Sequence, residues 1–234
     1  MVVAGRPIRL VLLRHSKSCA NHMRTVAGSH DPAHPLVAAS QRVLDPALSE
    51  VGRAMATAYG PVLRRRLAAE GFPVAHALIA SSGLRRATTT AALLFPGRPI
   101  TALPHIMEHG EIPENTPGRR STARRCRPSW RLFLRNLATR CETDIVAVAH
   151  GSFLRSEVWP AIAQRRSHGR LDNLAGFLVE GHLSPSGRLR VERLVELPYT
   201  GTVTAAAPTD RCGRDVEAAI RVHHRRTQKK RSDR

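Results

Sequence analysis

The stretch Ile8-Arg9-Leu10-Val11-Leu12-Leu13-Arg14-His15-Ser16 sets a short apolar run directly before an arginine–histidine pair. A bounded apolar run of this length is typical of a buried strand that ends where a loop begins. In open α/β sheets, ligands bind in the loops at the carboxyl ends of strands. Arginine offers a fork of donors suited to phosphate, and histidine can act as a nucleophile or base near neutral pH. The stretch therefore indicates an anion-binding loop with Arg14 and His15 as candidates for chemistry.

The composition indicates one domain of ordinary size with a strongly basic charge balance. The chain has 234 residues, of which 42% are hydrophobic, and this supports a sizeable core rather than general disorder. Lysine and arginine number 37 against 18 acidic residues, which gives a net charge of +19. Such a balance favours anionic partners, including phosphorylated substrates and nucleic acid. A solvated, arginine-rich surface without a partner is the alternative interpretation.

The four cysteines are scattered along the chain, at Cys19, Cys126, Cys141 and Cys212. They have neither the spacing of a zinc site nor that of a disulfide framework, so we expect reduced thiols in a reducing compartment. No apolar run approaches the length of a membrane span, and too few residues precede the first strand for a signal peptide. We therefore expect a cytoplasmic protein without membrane contact. The basic residues at the end of the chain leave a nuclear location open.

Apolar runs alternate with helical patterns along the chain. Further strands are predicted over residues 74–80, 100–103, 144–149, 176–180 and 189–197, and helices over 49–70, 84–95, 129–141 and 153–164. This alternation predicts an α/β fold with three layers, in which helices cover both faces of a mainly parallel sheet. The pattern changes near residue 208. We expect one domain over 1–207 and a basic, disordered tail over 208–234, within which 215–223 can form a short helix.

Three predicted strand ends carry basic groups, namely Arg14-His15, Arg85-Arg86 and His150. If these strands are neighbours, the groups converge at one edge of the sheet and form an anion pocket that contains two imidazoles. Phosphoryl transfer through histidine requires such a pocket, because a neutral imidazole attacks phosphorus while cations stabilise the oxygens. Two other mechanisms are disfavoured. No cysteine has the Cys-x5-Arg spacing of cysteine phosphatases, and the histidines are scattered instead of clustered like metal ligands.

In these residues the chain resembles the histidine phosphatase superfamily, which has the phosphoglycerate mutase-like fold. The signature of that family is Arg-His-Gly after a strand, with a Ser and an Asn downstream. The matching residues here are Arg14-His15-Ser16, Ser18 and Asn21. Later family markers are matched in order by Asp45, Leu48-Ser49, Gly52, Ser82 to Ala91, His150-Gly151, Arg155 and Asn173-Leu174-Ala175. The resemblance covers residues 8–197 and leaves the basic tail outside.

The resemblance implies that His15 is the nucleophile and becomes phosphorylated. Arg14, Arg86 and His150 would hold the transferred phosphoryl group, and cationic neighbours would lower the pKa of His15. The expected substrate-binding residues are Asn21, Ser16, Ser18 and Gly151. The resemblance implies no metal and no cofactor.

The expected general acid is a glutamate shortly after the third strand. Glu108 has the family's offset, whereas Glu111 and Glu114 follow closely and leave an alternative open. Solvated loop charges are the third interpretation of these residues.

Two residues of the catalytic loop depart from the family. Ser16 stands in place of glycine, and its side chain is expected to crowd a pocket where backbone approaches phosphate. Lys17 replaces a residue that is often acidic, so it is expected to add positive charge near the mouth of the pocket.

The expected function is hydrolysis of a phosphorylated small molecule or phosphoprotein. A phosphoglycerate mutase-like phosphotransferase is the alternative, but mutases retain a long insertion where residues 110–126 are short and arginine-rich. A further alternative is a catalytically weak family member that binds anions or nucleic acid through the basic tail. The aromatic content of 4% offers few platforms for base stacking and counts against it. The sequence predicts no oligomeric state.

Overall fold

A computed structural model of the protein describes residues 5–118, 126–163, 169, 171–203 and 210–232. Six strands within these ranges form one sheet: β1 (Arg6–Arg14), β2 (Leu78–Ser81), β3 (Thr101–Ala102), β4 (Asp144–Ala149), β5 (Gly176–Leu183) and β6 (Leu189–Leu197). Some predictions fall outside the described residues. They concern residues 119–125 of the arginine-rich segment, residue 164 at the end of a predicted helix, and residues 208–209 and 233–234 of the predicted tail.

The sheet has the strand order β3-β2-β4-β1-β5-β6. β1 pairs in parallel with β4, β4 with β2, and β2 with β3. β5 is antiparallel to both β1 and β6, so it alone among the described strands opposes the common direction. The sheet is therefore mainly parallel, as the sequence predicts.

The helices are α1 (Cys19–Ala27), α2 (Pro35–Arg42), α3 (Glu50–Ala69), α4 (Arg85–Leu94), α5 (Trp130–Ala138), α6 (Gly151–Phe153), α7 (Trp159–Ala163) and α8 (Arg214–Ser232). A 3₁₀ turn covers Pro113–Asn115, and a π-helical turn, Leu154–Val158, joins α6 to α7. Of these, α2 lies outside the helices and strands that the sequence predicts. Pro35 begins this helix, and its Leu36 and Val37 are buried.

Alternate residues of β1 point into two separate cores. Leu10 and Leu12 pack in a cluster with Phe133 of α5, whereas Val11 and Leu13 join a cluster with Tyr59 of α3 on the opposite face. Successive side chains of a strand point to opposite faces, so an unbroken apolar run is what a doubly covered strand requires. The predicted three-layer architecture is confirmed.

The strand register brings the ends of three parallel strands to one level. Arg14 of β1 aligns with Ala149 of β4, and Val148 aligns with Ser81 of β2. Beyond the strands, the amide of His15 donates to the carbonyl of Ala149 at 3.0 Å. The loops that follow β1, β2 and β4 therefore begin side by side.

The loop after β1 rests on the first turn of α3. Ser49, predicted to be the N-cap of this helix, accepts the Gly52 amide on its side chain at 3.1 Å. The amide of Ser49 donates to the carbonyl of Lys17 at 3.1 Å. A Cβ atom at Gly52 would lie 1.9 Å from that carbonyl oxygen, so only glycine permits this approach.

The cysteine prediction is wrong for two of the four residues. Cys19 of α1 and Cys212 are joined in a disulfide, whereas Cys126 and Cys141 are free thiols. The paired cysteines are 193 positions apart, and no local spacing indicates a pair that only the folded chain brings together.

The predicted tail also differs in the structure. The helix α8 covers Arg214–Ser232, and its Val216 and Ile220 are buried in a small cluster with Cys19, Met23 and Leu36. None of the described helices is long and apolar enough to cross a lipid bilayer.

We predict that Gly52→Ala destabilises the protein, because its methyl group would overlap the Lys17 carbonyl and separate α3 from the loop. Overpacking of this kind costs about 1–3 kcal/mol of unfolding free energy, measurable by urea denaturation. Gly213→Ala is the matched control, since its methyl group would enter open space. Equal stability of the two variants would contradict the proposed close approach.

Candidate active site

A cavity of about 530 Å³ opens at the carboxyl edge of the sheet. Its lining includes five of the predicted site residues: Arg14, His15, Asn21, Glu108 and Gly151. The lining also includes Arg24 of α1, His30 from the loop before α2 and Glu114 from the segment after β3. Ser152 of α6 and Arg155 of the π-helical turn, both after β4, complete this part of the wall. The structure thus brings together side chains that are far apart in the sequence.

His15 presents one defined ring nitrogen for chemistry. Its Nδ1 lies 2.6 Å from the carbonyl oxygen of Ser16, which only accepts hydrogen bonds, so Nδ1 carries the proton of the neutral ring. The Nε2 atom then holds the lone pair and accepts from Arg86 Nε at 3.3 Å. The ring is only 3% exposed, although it forms part of the cavity wall. This tautomer leaves Nε2 as the nucleophilic atom.

Arg86 is buried beside Nε2 of His15 and is fixed by three hydrogen bonds. Besides the bond to His15, Nη1 donates to the carbonyl of Glu114 at 2.7 Å and Nη2 to Asn115 Oδ1 at 3.0 Å. Arg86 is 1% exposed and is absent from the described lining of the cavity. The structure therefore places this predicted phosphate ligand directly against Nε2 of His15.

His150 lies beside His15, with 5.1 Å between the ring centroids. It is fully buried, and its Nε2 is 2.7 Å from the Ser82 hydroxyl. Among the described residues its Nδ1 has no hydrogen-bond partner. Like Arg86, it is absent from the described lining of the cavity.

Burial and positive charge together keep both imidazoles neutral. For His15, desolvation lowers the pKa most, and the charges of Arg86 and Arg14 lower it further. For His150, burial again lowers the pKa most, followed by Arg86 and His15. The predicted lowering of the His15 pKa is confirmed, with burial as its larger cause.

Arg14 and Gly151 are packed against each other at the cavity wall. Arg14 Nη1 donates to the carbonyl of Leu171 at 2.5 Å, which anchors the guanidinium. A Cβ atom at Gly151 would lie 3.1 Å from Arg14 Nε. Glycine at this position therefore leaves the room that Arg14 occupies.

Asn21 lines the cavity and is held by its neighbours. Its Oδ1 accepts the Ser18 amide at 3.2 Å and Asn173 Nδ2 at 3.4 Å. Asn173 Nδ2 also donates to the carbonyl of His15 at 2.8 Å, so one side-chain amide connects His15 to α1. Ser18 itself is buried as the N-cap of α1 and stands outside the described cavity lining.

Ser16 points away from the cavity. Its hydroxyl donates to the carbonyl of Gly52 at 2.6 Å, and its amide donates to Thr90 Oγ1 at 3.0 Å. The side chain therefore secures the loop to α3 and α4, and the expected crowding of the phosphate pocket does not occur.

The prediction for Lys17 is wrong. Its side chain is buried, with Nζ 2.7 Å from Asp210 Oδ2, and therefore adds no charge at the mouth of the cavity. Sequence reasoning missed Asp210, which lies in the predicted tail. It also missed Asn115, which belongs to a polar loop without a distinguishing pattern.

Of the three candidate acids, Glu108 has the required location. It lines the cavity, where Oε1 accepts the His109 amide at 3.0 Å and Oε2 is 3.5 Å from the Ser152 amide. Glu111 is exposed and outside the described lining of this cavity. Glu114 lines the cavity, but its carboxylate is paired with Arg24.

No group of three or more metal-ligating side chains among the described residues is arranged to hold a metal ion. The described lining of the cavity offers the imidazole of His15, the guanidinium groups of Arg14, Arg24 and Arg155, and the carboxyl groups of Glu108 and Glu114.

Similar folds occur in solved phosphatase structures. A proposed alpha-ribazole-5'-P phosphatase from Escherichia coli matches with 18% identity and a TM-score of 0.50, over 84% of this chain and 99% of that chain. A mycobacterial glucosyl-3-phosphoglycerate phosphatase matches with 21% identity and a TM-score of 0.47, over 83% and 99%. Phosphoserine phosphatase of Entamoeba histolytica matches with 15% identity and a TM-score of 0.47, over 80% and 96%. No family model and no curated protein matches the sequence.

We predict that the unfolding free energy decreases as the pH falls below 6.5, the ordinary pKa of histidine. The unfolded state then takes up protons that the buried rings of His15 and His150 do not accept. Each ring accounts for a loss of about 1 kcal/mol between pH 6.5 and 5.5. Urea denaturation at several pH values measures this slope. In the His15→Gln and His150→Gln variants, the unfolding free energy should depend less steeply on pH. An unchanged pH dependence in both variants would contradict its assignment to the two buried rings.

Proposed function

We propose that this chain, which has the phosphoglycerate mutase-like fold of the histidine phosphatase superfamily, hydrolyses phosphomonoesters through a phosphohistidine at His15. The supporting observation is the state of His15: a buried, neutral ring at the cavity wall, with its proton fixed on Nδ1 and its lone pair on Nε2. The Escherichia coli protein of the same fold is a proposed phosphatase, and thus agrees in reaction class.

In the first step, Nε2 of His15 attacks phosphorus and the bond between phosphorus and the leaving oxygen breaks. Glu108 lies in the same cavity and donates a proton to that oxygen, so an alcohol leaves. The guanidinium of Arg14 faces the charge that spreads over the phosphoryl oxygens. The guanidinium of Arg86 lies against Nε2 of His15 and the ring of His150 lies beside the ring of His15, so both groups are near the atom that receives the phosphoryl group.

In the second step, water attacks the phosphohistidine. The Glu108 carboxylate accepts a proton from this water, the bond between phosphorus and Nε2 breaks, and inorganic phosphate leaves. His15 returns to its neutral form, because burial and the neighbouring guanidinium groups disfavour a protonated ring. A mutase would instead return the phosphoryl group to a second hydroxyl of the substrate.

We predict that His15→Ala lowers the rate of phosphate release about 10³-fold or more, because the covalent route is lost. The measurement uses a panel of phosphorylated metabolites, phosphopeptides and p-nitrophenyl phosphate. The exposed His76 provides the control variant, His76→Ala, which should keep the original rate. Unchanged release by His15→Ala would overturn the proposal, and isomerisation without free phosphate would favour the mutase.

We predict that Glu108→Gln lowers kcat about 10²-fold on alkyl phosphates and much less on p-nitrophenyl phosphate. The reason is that an alkoxide must be protonated as it leaves, whereas p-nitrophenolate leaves without a proton. Glu111→Gln, the matched control, should keep the original kcat on both substrates. An equal loss on both substrates in Glu108→Gln would contradict the general-acid role.

A further inference from the structure

A buried carboxylate that the proposed mechanism does not use lies directly beneath the catalytic loop. Asp210 has a fully buried side chain, with Oδ2 2.7 Å from Lys17 Nζ and 3.3 Å from His22 Nδ1. Its other oxygen accepts the Val51 amide at 3.0 Å. We propose that Asp210 is a positioning residue that fixes the loop carrying His15, and that the disulfide of the adjoining segment keeps it there. This inference rests on the proposed function for its effect on catalysis.

The ion pair determines where Lys17 can lie. Its side chain is 2% exposed, and an ammonium group so far from water is tolerated only beside a compensating charge. Lys17 is two residues from His15, and its carbonyl accepts the Ser49 amide. Without the carboxylate, the ammonium group would move toward water, and the backbone that follows His15 would move with it.

Asp210 also completes the end of α3 on which this loop rests. The carboxylate accepts the Val51 amide, and the carbonyl of Arg211 accepts the Glu50 amide at 3.0 Å. These are first-turn amides without partners inside the helix, and a negative charge is favourable at this end of the helix dipole. The segment at residues 210–212 therefore supports both the loop and its platform.

Two further contacts hold this segment in place. The disulfide links Cys212 to Cys19, the residue that begins α1 only two positions after Lys17. Val216 and Ile220 of α8 are buried against the same part of α1. A tether this short keeps the carboxylate at a high effective concentration near Lys17. Asp210 can therefore leave Lys17 only if the ion pair breaks and α8 also separates from α1.

The decisive variant is Asp210→Asn, which keeps an oxygen for the Val51 amide and removes the charge. NMR titration of histidine-labelled protein reports the His15 pKa, with the signal assigned by its absence in His15→Gln. If Asp210→Asn acted only by removing a negative charge near His15, the His15 pKa would fall further. Loss of positioning instead hydrates His15 and separates it from Arg86, so we expect the pKa to rise by about one unit. We expect kcat to fall about tenfold.

Asp144→Asn is the matched control. Asp144 forms a half-buried ion pair with Arg9 at the start of β4, the opposite end of the sheet from the cavity. It should lower the unfolding free energy while leaving the His15 pKa and kcat unchanged. A rise of the His15 pKa in Asp144→Asn would show that general loosening causes the effect, and would overturn the positioning role.

Cys212→Ser provides a second test that remains informative if Asp210→Asn does not fold. It leaves both members of the ion pair and removes only the tether, so we expect a smaller rise of the His15 pKa and a decrease in kcat of about two- to fivefold. Folded variants with the original His15 pKa and kcat would overturn the proposal. A wild-type protein without phosphatase activity would refute the proposed function, whereas the NMR titration would still decide the positioning role.

Discussion

The buried guanidinium of Arg86, which lies against Nε2 of His15, is the constraint on which the rest of the site depends. A charge buried this deeply needs hydrogen-bond partners. Those of Arg86 are the ring of His15, the backbone carbonyl of Glu114 and the side chain of Asn115. The same charge disfavours protonation of His15 and His150, so the group that needs these partners also helps to keep both rings neutral. Fold stability and reactivity thus share one set of contacts.

The loop that carries His15 is held from two sides. On one side, Ser16 and Lys17 bond to the first turn of α3, where Gly52 allows the close approach. On the other side, Asp210 neutralises Lys17 from a segment almost two hundred residues away. Ser16 and Lys17, the two residues that depart from the pattern which the sequence resembles, are accommodated because each has a partner that the rest of the chain provides.

Sequence patterns predicted the parts of the structure that local chemistry determines. The apolar runs gave β1 and β4, since strands covered on both faces must be continuously apolar, and Ser49 marked the start of α3. The resemblance then named Arg14, Arg86, His150 and Glu108, which the fold brings to His15 or to the wall of the same cavity. The Cys19–Cys212 disulfide and the pairing of Lys17 with Asp210 were missed, because each joins residues whose proximity exists only after folding. Helix α8 was predicted only as a short helix over 215–223, because the charge of the residues that follow resembles that of a disordered tail.

The disulfide closes a covalent ring that starts at the first residue of α1 and ends just before α8. Arg86, Glu108 and His150 all lie inside this ring, and His15 lies four residues outside it. A protease that cuts one loop within the ring therefore yields two fragments that remain one molecule, joined by sulfur as well as by the shared sheet. Such a nicked protein separates into its pieces only under reducing and denaturing conditions.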